Sequence, residues 1–301
     1  MAEPAVPSPS IDFRSRLLID RHSSVLTRLP LRRQASLANP NCPDAETWNV
    51  FRTLAQFDPV RWVPELMRLG RLRSVPASRD LDSGVALTLW KRVHPPDERL
   101  RWLRHQAMKG QVKPVVGRKR KGRVVPLSDL LSELKERARD RVPLEEPVEV
   151  DVIVKCPHLV LFVEIPASGE SPEEPAASDV TRTYLLRLVD AGLAYSQARA
   201  ASRRHDVAFS LLILARETQT EKAWEAAMRA LTRSEARLRR SFPHRQGFDP
   251  AVLMGNLGIA SWSSMRRVLS SLRDKTRDDF EAGLLDRLLR PDKLSAPRAS
   301  R

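Results

Sequence analysis

The stretch Glu149–Pro166, EVDVIVKCPHLVLFVEIP, decides the fold. Val150, Val152 and Val154 alternate with Asp151, Ile153 and Lys155, and Leu159 to Ile165 is a nearly continuous apolar run. β-branched runs of this length, interrupted by Cys156-Pro157-His158, predict two short strands joined by a tight turn. A fold about the Pro157–His158 bond sets Lys155 opposite Val160 and Asp151 opposite Glu164. Directly opposed Cβ atoms sit ~5 Å apart. Two carboxylates at that separation repel unless a cation or a proton lies between them. An acid pair inside an apolar hairpin is therefore a candidate metal site.

Composition sets the outer bounds. The chain has 301 residues, 42% of them hydrophobic and 30% charged, enough to bury a core. Lysine and arginine outnumber aspartate and glutamate by 52 to 37, a net charge of +15. That excess favours a polyanionic partner, nucleic acid above all, through phosphate neutralisation and counterion release. An arginine-rich genome is the competing explanation. The two cysteines, Cys42 and Cys156, make no disulfide framework and have no zinc spacing, which fits a reducing compartment. No apolar run approaches the ~20 residues of a membrane span. The first residues lack the apolar segment of a signal peptide. The expectation is a cytoplasmic protein without a membrane partner.

Outward from the hairpin, the chain is mostly helical. Residues 1–10 and the tail after Arg290 read as disordered, and residues 11–290 as a single α/β domain with its core at about 40–240. Pro43–Phe57 is a predicted helix, with Trp48, Phe51, Leu54 and Ala55 on one face and Asp44 and Glu46 near its start, where acids suit the dipole. A short helix around Trp62, Leu66 and Met67 follows. Val85–Val93 reads as a strand, and helices are expected from Pro95 to Met108 and from Pro126 to Asp140. An acidic linker, LEEPVE, enters the hairpin. A long helix is expected from Thr181 to about Arg203, then a buried strand, VAFSLLILA, at Val207–Ala215. Thr220–Arg240 reads as one helix, with Glu221, Glu225, Arg229, Arg233 and Arg237 along one face. Asp249–Leu289 reads as helical, with breaks near Gly255–Gly258 and Lys275.

Gly117–Arg123 reads GRKRKGR, with valine pairs on both sides. The pattern predicts a hairpin tip or flexible loop. Arg118, Lys119, Arg120, Lys121 and Arg123 form either a phosphate-contacting loop or a solubilising tip.

The order of helix, strands, acid-bearing hairpin, long helix and buried strand resembles the restriction-endonuclease-like, or PD-(D/E)XK, nuclease superfamily. The residues that carry the resemblance are Asp151 in VEVDVIV, Glu164 in LVLFVEIP and Glu46 on the upstream helix. The VAFSLLILA strand and Ala260–Trp262, ASW, are similar to one bacterial branch. The resemblance spans roughly residues 40–265 and rests on short motifs. It implies a restriction-endonuclease-like core, a mixed central sheet flanked by helices, with helical additions at both ends. It also implies a metal-dependent endonuclease acting on DNA phosphodiester bonds. Asp151 and Glu164 would hold Mg²⁺ or Mn²⁺, and Glu46 would complete the site, usually through water.

The sequence departs from the pattern at one position. The lysine expected two residues after the glutamate is Pro166, which supplies no charge, no donor and no base. Arg182 and Arg187 on the following helix are the basic groups in reach by sequence, although arginine does not act as a base near neutral pH. Two further readings therefore stay open. One is a nuclease fold that binds nucleic acid or protein without cutting. The other is an unrelated basic α/β protein in which Asp151 and Glu164 are hairpin-edge acids. No Walker loop, GxGxxG, GxSxG or HExxH motif is present, and the six histidines are scattered.

Overall fold

The hairpin is the middle of a sheet. In the computed structural model the described residues are 12–39, 42–82, 84–112, 119–120, 123–124, 126–142, 144–173, 182–245 and 247–290. The two tails expected to be disordered lie outside them. After a 3-10 turn at Phe13–Arg16 come α1 (Ser24–Thr27), α2 (Leu31–Ala38), α3 (Asp44–Leu54), α4 (Pro59–Leu69) and α5 (Ser78–Asp82). Then follow β1 (Ala86–Val93), α6 (Asp97–Met108), the short strands β2 (Lys119–Arg120) and β3 (Arg123–Val124), and α7 (Leu127–Arg139). The hairpin is β4 (Val148–Lys155) and β5 (Leu159–Glu164), followed by α8 (Tyr184–Arg203) and β6 (Ala208–Ala215). The last elements are α9 (Thr218–Leu231), α10 (Glu235–Ser241), α11 (Pro250–Met254), β7 (Leu257–Ser261), α12 (Trp262–Lys275) and α13 (Asp279–Leu289).

The chain divides into two compact units, Met1–Trp62 with Arg266–Arg301, and Val63–Met265. The first is helical, and its core includes Trp48, Phe51 and Leu54 from α3 with Leu284, Leu285 and Leu288 from α13. Trp48 also donates its indole N–H to the Ile19 carbonyl at 3.0 Å, and Asn49 accepts from Leu18 N at 2.7 Å. These bonds satisfy buried polar groups of the N-terminal turn.

The second unit holds a five-stranded mixed sheet in the order β1-β4-β5-β6-β7. β1 pairs antiparallel with β4 and β4 antiparallel with β5, whereas β5–β6 and β6–β7 are parallel. Every residue of β5 is buried, as expected for a central strand covered on both faces. The expected register holds, with Lys155 opposite Val160 and Val152 opposite Val163. Parallel pairing of β5 and β6 needs a crossover, and α8 provides it. Val160 and Phe162 of β5, Leu211 and Ile213 of β6, and Leu185, Leu188 and Val189 of α8 share one core. Gly192 allows this close approach, because a Cβ there would overlap the Phe209 ring.

Two expectations change. The predicted Thr220–Arg240 helix is two helices. The Thr232 hydroxyl bonds back to the Met228 carbonyl at 2.9 Å, and the Ser234 side chain caps α10 by accepting from Arg237 N at 3.2 Å. Hydroxyls that satisfy terminal backbone groups stop the first helix and start the second. The charge stripe is therefore broken, although Glu225 and Arg229 still pair at 3.0 Å. The segment after Asp249 also contains a fifth strand, β7, beside β6. Gly258 packs so closely on the Gly70 carbonyl that no side chain fits there. Five residues interrupted by a glycine and ending in serine do not announce a strand. The open edge of β6 recruits them.

Candidate metal centre

Asp151 and Glu164 are brought together by the hairpin. The β4–β5 ladder runs as far as Val152–Val163, and just beyond it the two acids replace backbone pairing with side-chain bonds. Asp151 Oδ2 accepts from Ile165 N at 2.8 Å, and Asp151 N lies 3.5 Å from Glu164 Oε2. On the other side of β4, Leu89 pairs with Val152 and Lys91 with Val150. Trp90 between them has φ 51°, a left-handed conformation that is strained for an aromatic residue. The regular backbone pairing is thus interrupted at Asp151, between Leu89–Val152 and Lys91–Val150 on one side and beyond Val152–Val163 on the other.

Glu164 is only 4% exposed and Asp151 is half-buried. Burial pushes the Glu164 carboxyl well above its ordinary value, and the negative charges of Asp151 and Glu170 push it further. Hydrogen bonds from Tyr184 and the Asp151 backbone act in the opposite direction. Tyr184 Oη donates to Glu164 Oε1 at 2.8 Å. Burial and the neighbouring acids raise the Tyr184 phenol as well, so it remains a donor. Glu170, in the loop after β5, accepts from Ala167 N at 2.9 Å, and its carbonyl accepts from the Trp224 indole at 3.3 Å. Tyr184 and Glu170 were not legible as site residues in the sequence. One opens a helix twenty positions after Glu164, and the other lies in a Gly/Pro/Ser-rich loop.

Pro166 is buried at the position of the missing lysine. The two arginines that the sequence leaves within reach of the pair are engaged elsewhere. Arg182 donates to Glu145 at 2.5 Å and to Asp190 at 2.7 Å. Arg187 donates to the Glu146 carbonyl at 2.7 Å. Both belong to a buried ion network in which Arg99 donates to Glu145 at 3.0 Å, and His244 and Arg245 donate to Asp190. Buried acids and a main-chain carbonyl thus take up these arginines, a competition the linear sequence does not display.

Glu46 lies on α3 in the helical unit, where Arg266 donates to it at 3.3 Å. Of the basic run, Lys119–Arg120 and Arg123–Val124 pair as an antiparallel ribbon, so the hairpin expectation holds for its backbone. Arg118 and Lys121 lie outside the described residues. Cys42 and Cys156 are free, and burial pushes the Cys156 thiol up to about 12. It is therefore a packing residue, not a nucleophile. Among the described residues no helix is long and apolar enough to cross a membrane. Nor do three or more histidine, cysteine, aspartate or glutamate side chains there form a metal-holding group.

The described unit is therefore a mixed α/β fold with an opposed acid pair where its hairpin ladder ends. No protein-family model matches the chain, no curated protein matches it in sequence, and no solved structure matches it in fold.

Proposed function

We propose that the protein is a metal-dependent nuclease of the restriction-endonuclease-like type, acting on DNA phosphodiester bonds. The single observation that carries this reading is the acid pair. A buried glutamate and a half-buried aspartate meet just beyond the end of a central hairpin ladder, where burial first and the Asp151 charge second raise the Glu164 carboxyl. A fold keeps such an arrangement at a cost in stability, which is typical of sites that bind cations. The order of two antiparallel strand pairings, a crossover helix and a parallel strand supports the same reading. So does the interruption of regular β1–β4 pairing at Trp90.

The donor set fits a hard divalent cation. Mg²⁺ is commonly held by one or two carboxylates, with water completing its shell, so a third protein ligand is not required. Asp151 and Glu164 would hold it. Bound there, the metal would acidify a water and stabilise charge on phosphate oxygens. The chain's own part is to orient the two carboxylates. Ile165 N fixes Asp151 through Oδ2, and β5 brings Glu164 beside it.

The expected result is nicking of supercoiled DNA with Mg²⁺ or Mn²⁺, abolished by Asp151→Ala and by Glu164→Ala. Undiminished nicking in both variants would remove the acid pair from the reaction. A second reading is favoured by Pro166 and by the engagement of Arg182 and Arg187 with Glu145 and Asp190. It is a nuclease fold that binds nucleic acid or a protein without cutting. DNA binding with no metal-dependent nicking is its signature.

The basic ribbon is proposed to touch phosphates. Neutralising Arg118, Lys119, Arg120, Lys121 and Arg123 is expected to flatten the dependence of log affinity on log salt. The slope should drop by about 0.9 for each phosphate that the variant no longer neutralises. An unchanged slope would make the ribbon a solubilising tip only.

A further inference from the structure

The strand that carries Glu164 supplies no donor where the related motif has its lysine, because Pro166 occupies that position. A donor arrives from α8 instead. Tyr184 opens that helix directly after its cap, where the Thr183 hydroxyl accepts from Leu186 N at 3.4 Å. Its ring is held edge-on against Trp224, with centroids 6.1 Å apart and planes at 83°. Its hydroxyl lies 2.8 Å from Glu164 Oε1 and 3.3 Å from the Glu149 carbonyl. A phenol has one proton to give, and the shorter contact to the carboxyl group is the stronger bond. With Oε1 held by Tyr184, Oε2 is the oxygen turned toward Asp151, whose backbone N lies 3.5 Å from it.

We infer that Tyr184 is a positioning residue for the acid pair, its hydroxyl holding Glu164 so that Oε2 is presented beside Asp151 to a divalent cation. The inference rests on reading Asp151 and Glu164 as a metal centre. It assigns to a helix residue the orienting role that a hydrogen-bond partner behind a metal ligand performs. Loss of such a partner commonly weakens metal binding 10–100-fold. The phenol does not touch the substrate or the metal. Its removal acts through Glu164.

The test titrates Mn²⁺ by electron paramagnetic resonance into wild type, Asp151→Ala and Tyr184→Phe, with the melting curve of each metal-free protein recorded beside it. Wild type is expected to bind, Asp151→Ala to lose binding, and Tyr184→Phe to bind about 10–100-fold more weakly while still melting cooperatively. Saturating Mn²⁺ should restore Tyr184→Phe toward wild-type occupancy, which a disrupted fold would not permit. A second measurement needs no folded variant. The chain has two tyrosines, so uniform fluorotyrosine labelling gives two ¹⁹F resonances. Tyr195 lies eleven residues along the same helix, ~16 Å away. Mg²⁺ is expected to shift the Tyr184 resonance and leave the other in place. If wild type binds Mn²⁺ and Asp151→Ala does not, yet Tyr184→Phe binds as wild type and neither fluorine responds, the role of Tyr184 is overturned and the metal centre stands. If wild type does not bind, or Asp151→Ala binds equally well, the metal centre itself fails.

Discussion

Asp190→Ala is expected to destabilise the protein by about 3–5 kcal/mol, the usual effect of removing one partner from a buried ion pair. Domain stabilities run about 5–15 kcal/mol, so this single change approaches the threshold of unfolding. Asp190 is fully buried on α8, where Arg182, His244 and Arg245 converge on it. Through Arg182 it is linked to Glu145 in the linker before β4, and through Glu145 to Arg99 on α6. The network ties four separated segments of the sheet-containing unit together. Removing the aspartate takes a buried acceptor from His244 and one from each of Arg182 and Arg245, which keep Glu145 and Gln197 as partners. Urea denaturation measures the effect. An unfolding free energy within about 0.5 kcal/mol of wild type would show that the network contributes little.

The same network sets an acid limit. Burial pushes the Asp190 carboxyl up, but the His244 bond and the Arg182 and Arg245 charges overcome it and hold it well below the usual range. A depressed acid contributes stability that is present above its unfolded value and lost as pH falls through the folded one. For His244, burial lowers the ring below its ordinary 6.5, against the Asp190 hydrogen bond, and the Arg182 and Arg99 charges lower it further. Its contribution is likewise present above the unfolded value and lost as pH falls below it. Both groups predict weakening on acidification, beginning with His244 below about pH 6.5.

Glu164→Gln is expected to act in the opposite direction. In the metal-free protein the variant should be more stable than wild type at mildly alkaline pH, because burial and the Asp151 charge both disfavour the ionised Glu164 carboxyl. The gain is read as a higher melting temperature of the metal-free variant. Glutamine keeps an oxygen for Tyr184 and offers Asp151 a donor in place of a second negative charge. The sign follows from linkage. The Glu164 carboxyl is raised from an ordinary 4.5, so folding takes up a proton between the unfolded and folded values. Stability from this group is fully present below the unfolded value and is lost as pH rises through the folded one. The advantage of glutamine should therefore grow with pH and vanish in acid. A divalent cation held by the proposed metal centre should act the other way. At a hundredfold excess over its dissociation constant it stabilises wild type by about 2.7 kcal/mol, and the variant gains less. Equal melting temperatures across pH, with no response to Mn²⁺, would mean that the acid pair neither strains the fold nor binds a cation.

Local information carried much of the architecture. The alternation in Val150–Lys155 and the β-branched run after Pro157 specify two strands, and the tight turn fixes their register. That alone places Asp151 opposite Glu164. The buried strand Ala208–Ala215 was legible for the same reason, as a short apolar run between helices. Helix ends depended on side chains that bond their own backbone, and the break at Thr232–Ser234 was hidden beneath a continuous charge stripe. β7 was illegible because Leu257–Ser261 has little intrinsic strand preference. Its conformation comes from the open edge of β6 and the glycine that fits against Gly70.

The sequence by itself determined the acid pair, since hairpin register is set by neighbours a few residues apart. It also determined that a proline, Pro166, stands where the resemblance expects a lysine. Only the tertiary structure decided what surrounds the pair. Tyr184 and Glu170 reach the site because α8 and the preceding loop pack there, whereas Arg182 and Arg187 turn away toward Glu145 and Asp190. Each of those choices is a competition between distant charges for one partner. It is settled by burial and three-dimensional proximity, which spacing along the chain does not encode.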